Sequence, residues 1–120
     1  MILVDSSIWV ENFRKSNKAI KNELVQFSSV VVTHDMIIGE MMLNNGTRED
    51  FVDDLMLIHR LPTATLMKFR AFVKKYDIVG RGIGYVDTHL LLSCIENNTK
   101  IWTLGKSLQE TARDLGCLHK

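Results

Sequence analysis

Three acidic residues stand beside apolar segments, where a carboxylate is costly to desolvate without a partner. Asp5 directly follows the apolar run 2–4, Glu40 interrupts the apolar stretch 36–43, and Asp87 lies just before three consecutive leucines. The sequence places no Lys or Arg beside any of the three. If folding brings them into one cleft, their mutual repulsion raises their pKa values unless a cation binds there.

Carboxylate oxygens without an imidazole or thiolate among them favour Mg²⁺ or Mn²⁺ over Zn²⁺. Such a cation polarises a phosphate ester and generates hydroxide from bound water, so the set is suited to hydrolysis of phosphodiester bonds. Taken one at a time, the same residues have simpler explanations. Asp5 and Asp87 could cap helices, and Glu40 could be a polar residue on the outer edge of its helix.

The elements that must position these acids follow from the apolar pattern. Apolar runs rich in branched residues predict short strands that are buried on both faces; they lie at 2–4 and 30–32, and a third strand is predicted at 100–103. Helical periodicity and capping residues predict helices between them; these begin after Ser6, Asn17 and Thr33, at a capping box in 47–50, before Leu66, near Asp87 and before Leu108.

Short strands that alternate with helices predict an α/β fold, with a short central parallel sheet flanked by helices. In such sheets, ligands bind beyond the carboxyl ends of the strands. Asp5 follows the first predicted strand, and Thr103 closes the predicted strand at 100–103. The pattern therefore predicts that these two residues lie at the same edge of the sheet.

Length and composition set the class of protein. With 120 residues, 46% hydrophobic and 24% charged, the chain is expected to form one globular domain over 1–120. No apolar run approaches the ~18 residues of a membrane span, and residues 1–5 do not resemble a signal peptide, so a cytoplasmic location is expected. The net charge of +1 neither favours nor excludes a nucleic-acid partner.

Two groups of basic residues could contact phosphates, or could be solvated helix faces. One comprises Arg14, Lys15, Lys18 and Lys21, and the other comprises Lys68, Arg70, Lys74, Lys75 and Arg81.

Four segments together resemble the PIN-domain ribonucleases, and specifically the VapC-type toxins of type II toxin–antitoxin pairs. The resemblance spans nearly the whole chain. It rests on Val4-Asp5-Ser6-Ser7-Ile8-Trp9, on Thr33-His34-Asp35-Met36-Ile37-Ile38-Gly39-Glu40, on Gly82-Ile83-Gly84-Tyr85-Val86-Asp87-Thr88-His89-Leu90-Leu91, and on Trp102-Thr103-Leu104-Gly105-Lys106-Ser107-Leu108.

The resemblance implies a single PIN domain with a three-layer sandwich. It implies an Mg²⁺- or Mn²⁺-dependent endoribonuclease that a cognate antitoxin protein neutralises, and a homodimer, with the apolar helix around 51–58 as a candidate interface. Asp5, Glu40 and Asp87 would be the metal-binding and catalytic acids. Ser6 or Ser7 would support the turn that carries the first acid, and Thr103 would order the site.

One position departs from the family pattern, which usually has an acid two residues after the threonine. Here that position is Gly105. Loss of a carboxylate weakens cation binding, so a second metal and the full rate are in doubt. Two alternatives follow: a degenerate PIN domain that binds RNA or an antitoxin without cutting, and a receiver-like signalling domain. The second is disfavoured because Asp5 is followed by Ser6 and not by another acid.

Overall fold

The computed structural model describes residues 1–14 and 16–120, and in that part of the chain it contains seven α-helices, one 3₁₀ helix and a four-stranded sheet. The strands are β1 (Ile2–Val4), β2 (Val31–His34), β3 (Arg60–Leu61) and β4 (Lys100–Trp102). The helices are α1 (Ser6–Asn12), α2 (Lys18–Gln26), α3 (Asp35–Leu43), α4 (Glu49–Leu57), α5 (Leu66–Lys75), α6 (Tyr85–Glu96) and α7 (Lys106–Asp114), and the 3₁₀ helix spans Ser28–Val30.

The sheet has the order β3-β2-β1-β4, and each of its three strand pairs is parallel. β1 therefore lies inside the sheet, with Ile2 opposite Val31 on one side and Lys100 on the other. A parallel bridge between Ile101 and Leu118 adds a short piece at the β4 edge. Because every pair is parallel, the carboxyl ends of all four strands meet at one edge.

The apolar pattern explains why these strands are internal. All three residues of β1 are buried, and Leu3 and Val4 are fully inaccessible to solvent. Helix α6 covers the sheet with an almost continuous buried stretch over 88–94. The predicted α/β fold, a short central parallel sheet flanked by helices, is confirmed.

Two predicted helix starts are displaced by one residue. Asp5, and not Ser6, occupies the N-cap position of α1, but its side chain makes no capping hydrogen bond. Thr33 lies within β2, and His34 caps α3 by accepting the Met36 N–H on its ring Nδ1 at 3.0 Å.

Two further sequence predictions are wrong in detail. The capping box predicted at 47–50 does not form, because α4 begins at Glu49 behind Arg48, which makes no side-chain cap. Strand β3 is not among the strands that the sequence predicts, yet Arg60 and Leu61 pair with Thr33 and His34.

Within residues 1–14 and 16–120, every helix is too short or too polar to span a lipid bilayer.

Candidate active site

A cleft of about 300 Å³ opens at the carboxyl edge of the sheet, where β1 and β4 end. The amide of Asp5 donates to the Trp102 carbonyl at 2.9 Å and so joins the ends of the two strands. The cleft is lined by residues from α1, α6 and α7, from the positions that follow β1 and β4, and from the loop before α6: Asp5, Ser7, Gly82, Asp87, Thr103, Gly105, Lys106, Ser107 and Leu108. A larger cavity, about 450 Å³, lies elsewhere between α1, α2 and β2; its lining is mainly apolar and contains no acid.

Asp5 is the most constrained side chain in this cleft. Its Oδ2 accepts hydrogen bonds from the hydroxyls of Ser7 and Thr103, both at 2.7 Å. Each hydroxyl oxygen accepts a backbone N–H in turn: Leu104 donates to Ser7 at 3.0 Å and Gly105 donates to Thr103 at 3.1 Å. The hydroxyl protons are therefore directed at the carboxylate, which is 93% buried and fixed in orientation.

The two serines after Asp5 have different partners. Ser7 contacts Asp5 directly, whereas the Ser6 hydroxyl lies 3.2 Å from Glu40 Oε1 and 3.5 Å from Asp5 Oδ1. A serine hydroxyl has one proton, and the shorter distance favours donation to Glu40. Ser6 thus connects α3 to the first acid, while Ser7 holds that acid. The sequence had left open which serine does so.

The third acid, Asp87, lies in the first turn of α6 and lines the same cleft as Asp5. Burial raises the pKa of Asp87, and the negative charge of Asp5 raises it further. The pKa of Glu40 is also raised, first by desolvation and then by Asp5, with a smaller contribution from Asp87; the Ser6 hydrogen bond opposes these effects. The three carboxylates therefore interact with one another through space.

Across the described chain, no Lys, Arg or His forms an ion pair with any of these three acids. In the same residues, no three His, Cys, Asp or Glu side chains are grouped closely enough to count as a complete metal site. Asp5 and Asp87 share the cleft, whereas Glu40 is exposed on α3 and joins them through Ser6. A buried carboxylate (Asp5) and a half-buried one (Asp87) without an ion-pair partner fit a hard divalent ion, which commonly takes one or two protein carboxylates and completes its shell with water.

Gly105 occupies the N-cap position of α7 with an ordinary backbone conformation, φ −70°. A Cβ at this position would lie 3.6 Å from Thr103 Oγ1 and 3.8 Å from Leu108 Cβ, which are normal contacts. A Cβ therefore fits at position 105, and neither its contacts nor the backbone conformation requires glycine here.

Two members of each basic group bond to other residues of the chain. In the first, Arg14 pairs with Glu11, and Lys21 donates to the Asn12 carbonyl; Lys15 lies outside the described residues. In the second, Lys68 pairs with Glu96, and Arg81 pairs with Asp114. Among the described members of both groups, none lines the cleft, although Gly82, which follows Arg81, does.

Replacing Thr103 with Val is expected to lower the free energy of unfolding by about 1–3 kcal/mol, because the buried Asp5 carboxylate and the Gly105 N–H each lose a partner. Thr33 gives a matched control, since its hydroxyl is equally buried and has no hydrogen-bond partner among the described residues. Thr33→Val is expected to be neutral or stabilising. Urea unfolding of both variants measures the difference, and equal losses would contradict the role of the Thr103 hydroxyl.

Comparison with known proteins adds a separate line of evidence. The chain is 30% identical over 118 residues to Ribonuclease VapC32 of Mycobacterium tuberculosis (strain CDC 1551 / Oshkosh), an alignment that covers 97% of this chain and 94% of that protein. The same values hold for Ribonuclease VapC32 of strain ATCC 25618 / H37Rv. No protein-family profile matches the chain.

Proposed function

Because the chain belongs to the VapC family of PIN-domain ribonucleases, we propose that it is an endoribonuclease toxin that hydrolyses RNA phosphodiester bonds with Mg²⁺ or Mn²⁺. The observation that carries the proposal is the position of Asp5, which two hydroxyls hold in a cleft that it shares with Asp87. A carboxylate fixed in this way is preorganised to bind a cation.

The proposed roles follow from each acid's surroundings. Asp5 and Asp87 would hold the ion, and Glu40 is the third member of the catalytic set. When bound, the cation supplies a Lewis acid for the phosphate and a water of lowered pKa. Glu40, whose Oε1 accepts from Ser6, would add a third negative charge near the ion. Ser6, Ser7 and Thr103 position the acids.

We further propose that the chain acts in the cytoplasm as a single domain over 1–120, and that a cognate antitoxin protein blocks it. A homodimer is also proposed. The support for it is the exposure of two apolar side chains, Leu43 at the end of α3 (88% exposed) and Leu57 at the end of α4 (86% exposed). Burial of such side chains against a second copy is favourable at roughly 25 cal/mol per Å².

Gly105 supports a second candidate, a degenerate PIN domain that binds RNA or an antitoxin without cutting. A carboxylate at that position would add charge to the cation site, and glycine offers none. The two candidates differ in one measurable property, cleavage at any divalent-ion concentration.

The test is cleavage of total cellular RNA by the purified chain in Mg²⁺, in Mn²⁺ and in EDTA, with cut sites mapped by end sequencing. We expect cleavage with either ion and none in EDTA. Gly105→Asp is expected to lower the Mg²⁺ concentration for half-maximal rate by about 10-fold, because it restores a charge at a position with space for it. Gly105→Asn is the uncharged control. RNA binding without cleavage by the native chain and by Gly105→Asp would favour the degenerate domain.

A further inference from the structure

The cleft is also lined by a basic side chain, that of Lys106. Lys106 is the first residue of α7 and lines the same cleft as Asp5 and Asp87. It is exposed, and among the described residues it forms no ion pair. Its sequence neighbours Gly105 and Ser107 also line the cleft and are uncharged. The lining of the cleft therefore combines two acidic side chains with one basic side chain.

The start of α7, which carries Lys106, is held in place by the loop before α6. Gly82 has φ +77°, and a Cβ there would lie 3.1 Å from the Ser107 hydroxyl oxygen, so the loop backbone packs closely against the start of α7. Arg81 forms an ion pair with Asp114 at the other end of the same helix. α7 is anchored to the core through Leu108, which is 2% exposed. Lys106 thus projects from a fixed backbone position.

The negative charge of an RNA substrate gives a cation in this cleft a function. A phosphodiester is an anion, and two partly buried carboxylates repel it. A bound divalent ion offsets part of that repulsion, and an ammonium group in the same cleft offsets more. A carboxylate at position 105 would attract the ammonium group of the adjacent Lys106. Glycine has no such charge, so the ammonium group stays available to a ligand.

We propose that Lys106 contacts the non-bridging oxygens of the phosphodiester that is to be cut and holds it over Asp5 and Asp87. The inference rests on the proposed ribonuclease function and adds a substrate-contacting residue to it. Contact of this kind depends on positive charge, and therefore arginine can replace lysine whereas glutamine cannot.

Two measurements test the proposal. In the first, Lys106→Gln is expected to lower kcat/KM for RNA cleavage by about 10- to 100-fold, and Lys106→Arg to stay within about 3-fold of the native chain. The second measures binding of a fluorescein-labelled, mixed-sequence single-stranded RNA in EDTA, where metal-dependent cleavage does not occur. Lys106→Gln is expected to reduce the slope of log affinity against log salt by about 0.7, the value for one phosphate contact on a single strand.

Lys100 provides the matched control. It begins β4, so it lies at the amino edge of the sheet, opposite the cleft, and Lys100→Gln removes the same charge. This control is expected to leave both measurements unchanged. Equal salt slopes for the native chain and Lys106→Gln overturn the proposal, as does a loss of cleavage by Lys106→Arg as large as that of Lys106→Gln. Because the binding measurement needs no catalysis, a native chain that fails to cut RNA would contradict the ribonuclease function without deciding the role of Lys106.

Discussion

Asp5→Asn is expected to reduce RNA cleavage by about 10³-fold and to leave the fold intact. The amide oxygen of asparagine can still accept from the hydroxyls of Ser7 and Thr103, so the hydrogen-bond network around residue 5 has a substitute acceptor. What is lost is a negative charge at the best-ordered position of the cleft, and with it a ligand for the cation whose Lewis acidity lowers the barrier by several kcal/mol.

Initial rates of RNA cleavage at saturating Mg²⁺, with thermal unfolding as the check on folding, measure this effect. Asp53→Asn is the matched control, because Asp53 is exposed on α4 and does not line the cleft. Native-like cleavage by a folded Asp5→Asn protein would show that the acids at this sheet edge do not perform the chemistry.

Asp87→Asn is expected to make the protein more stable in EDTA at pH 7, although it removes a catalytic acid. Burial and the charge of Asp5 raise the pKa of Asp87 in the folded state above its ordinary value of 3.8. The folded protein therefore binds this proton more tightly than the unfolded chain does. As pH rises from below 3.8 through the raised pKa, the ionised Asp87 destabilises the fold, and above that range the penalty is constant.

Urea unfolding of the native and Asp87→Asn proteins over this pH range measures the difference. The gain from the substitution is expected to be smallest in acid, to grow as pH rises through the raised pKa, and to level off near neutrality. A variant that is less stable than the native chain at pH 7 in EDTA would contradict the electrostatic explanation.

Mg²⁺ should reverse the order of stability. Since the native chain is proposed to bind the ion only when folded, Mg²⁺ at about 100 times its dissociation constant adds about 2.7 kcal/mol to the free energy of unfolding. Asp87→Asn is expected to gain far less, because one of the two carboxylates in the cleft is gone. This readout is independent of any RNA substrate.

The sequence was most informative about the parts of the fold that are wholly apolar or locally capped. Ile2–Val4 was predicted as a buried strand because three consecutive branched residues have no polar face to present to water, and Asn17 was predicted as the cap that the structure shows on α2. The juxtaposition of Asp5 and Thr103 followed from the parallel sheet alone. These inferences need only local sequence and general topology.

What could not be predicted depends on geometry of less than one helical turn. Whether Ser6 or Ser7 faces Asp5 is set by the residue at which α1 begins, and a shift of one residue rotates the helix face by about 100°. β3 has two residues, too few for any periodicity. The placement of Glu40 outside the cleft depends on the packing of α3, for which its nearly uniform apolar sequence gives no preferred face.

The order of the strands has a consequence for synthesis of the protein. β1 is made first, yet its two neighbours in the sheet are β2 and β4, and β4 begins at residue 100 of 120. The Asp5 carboxylate therefore gains its second hydroxyl partner only after Thr103 has been synthesised. Such long-range closure is slow, and a ribosome must release the chain through Thr103 before the cleft can assemble. Nascent fragments of this protein are expected to be harmless to the RNA around them.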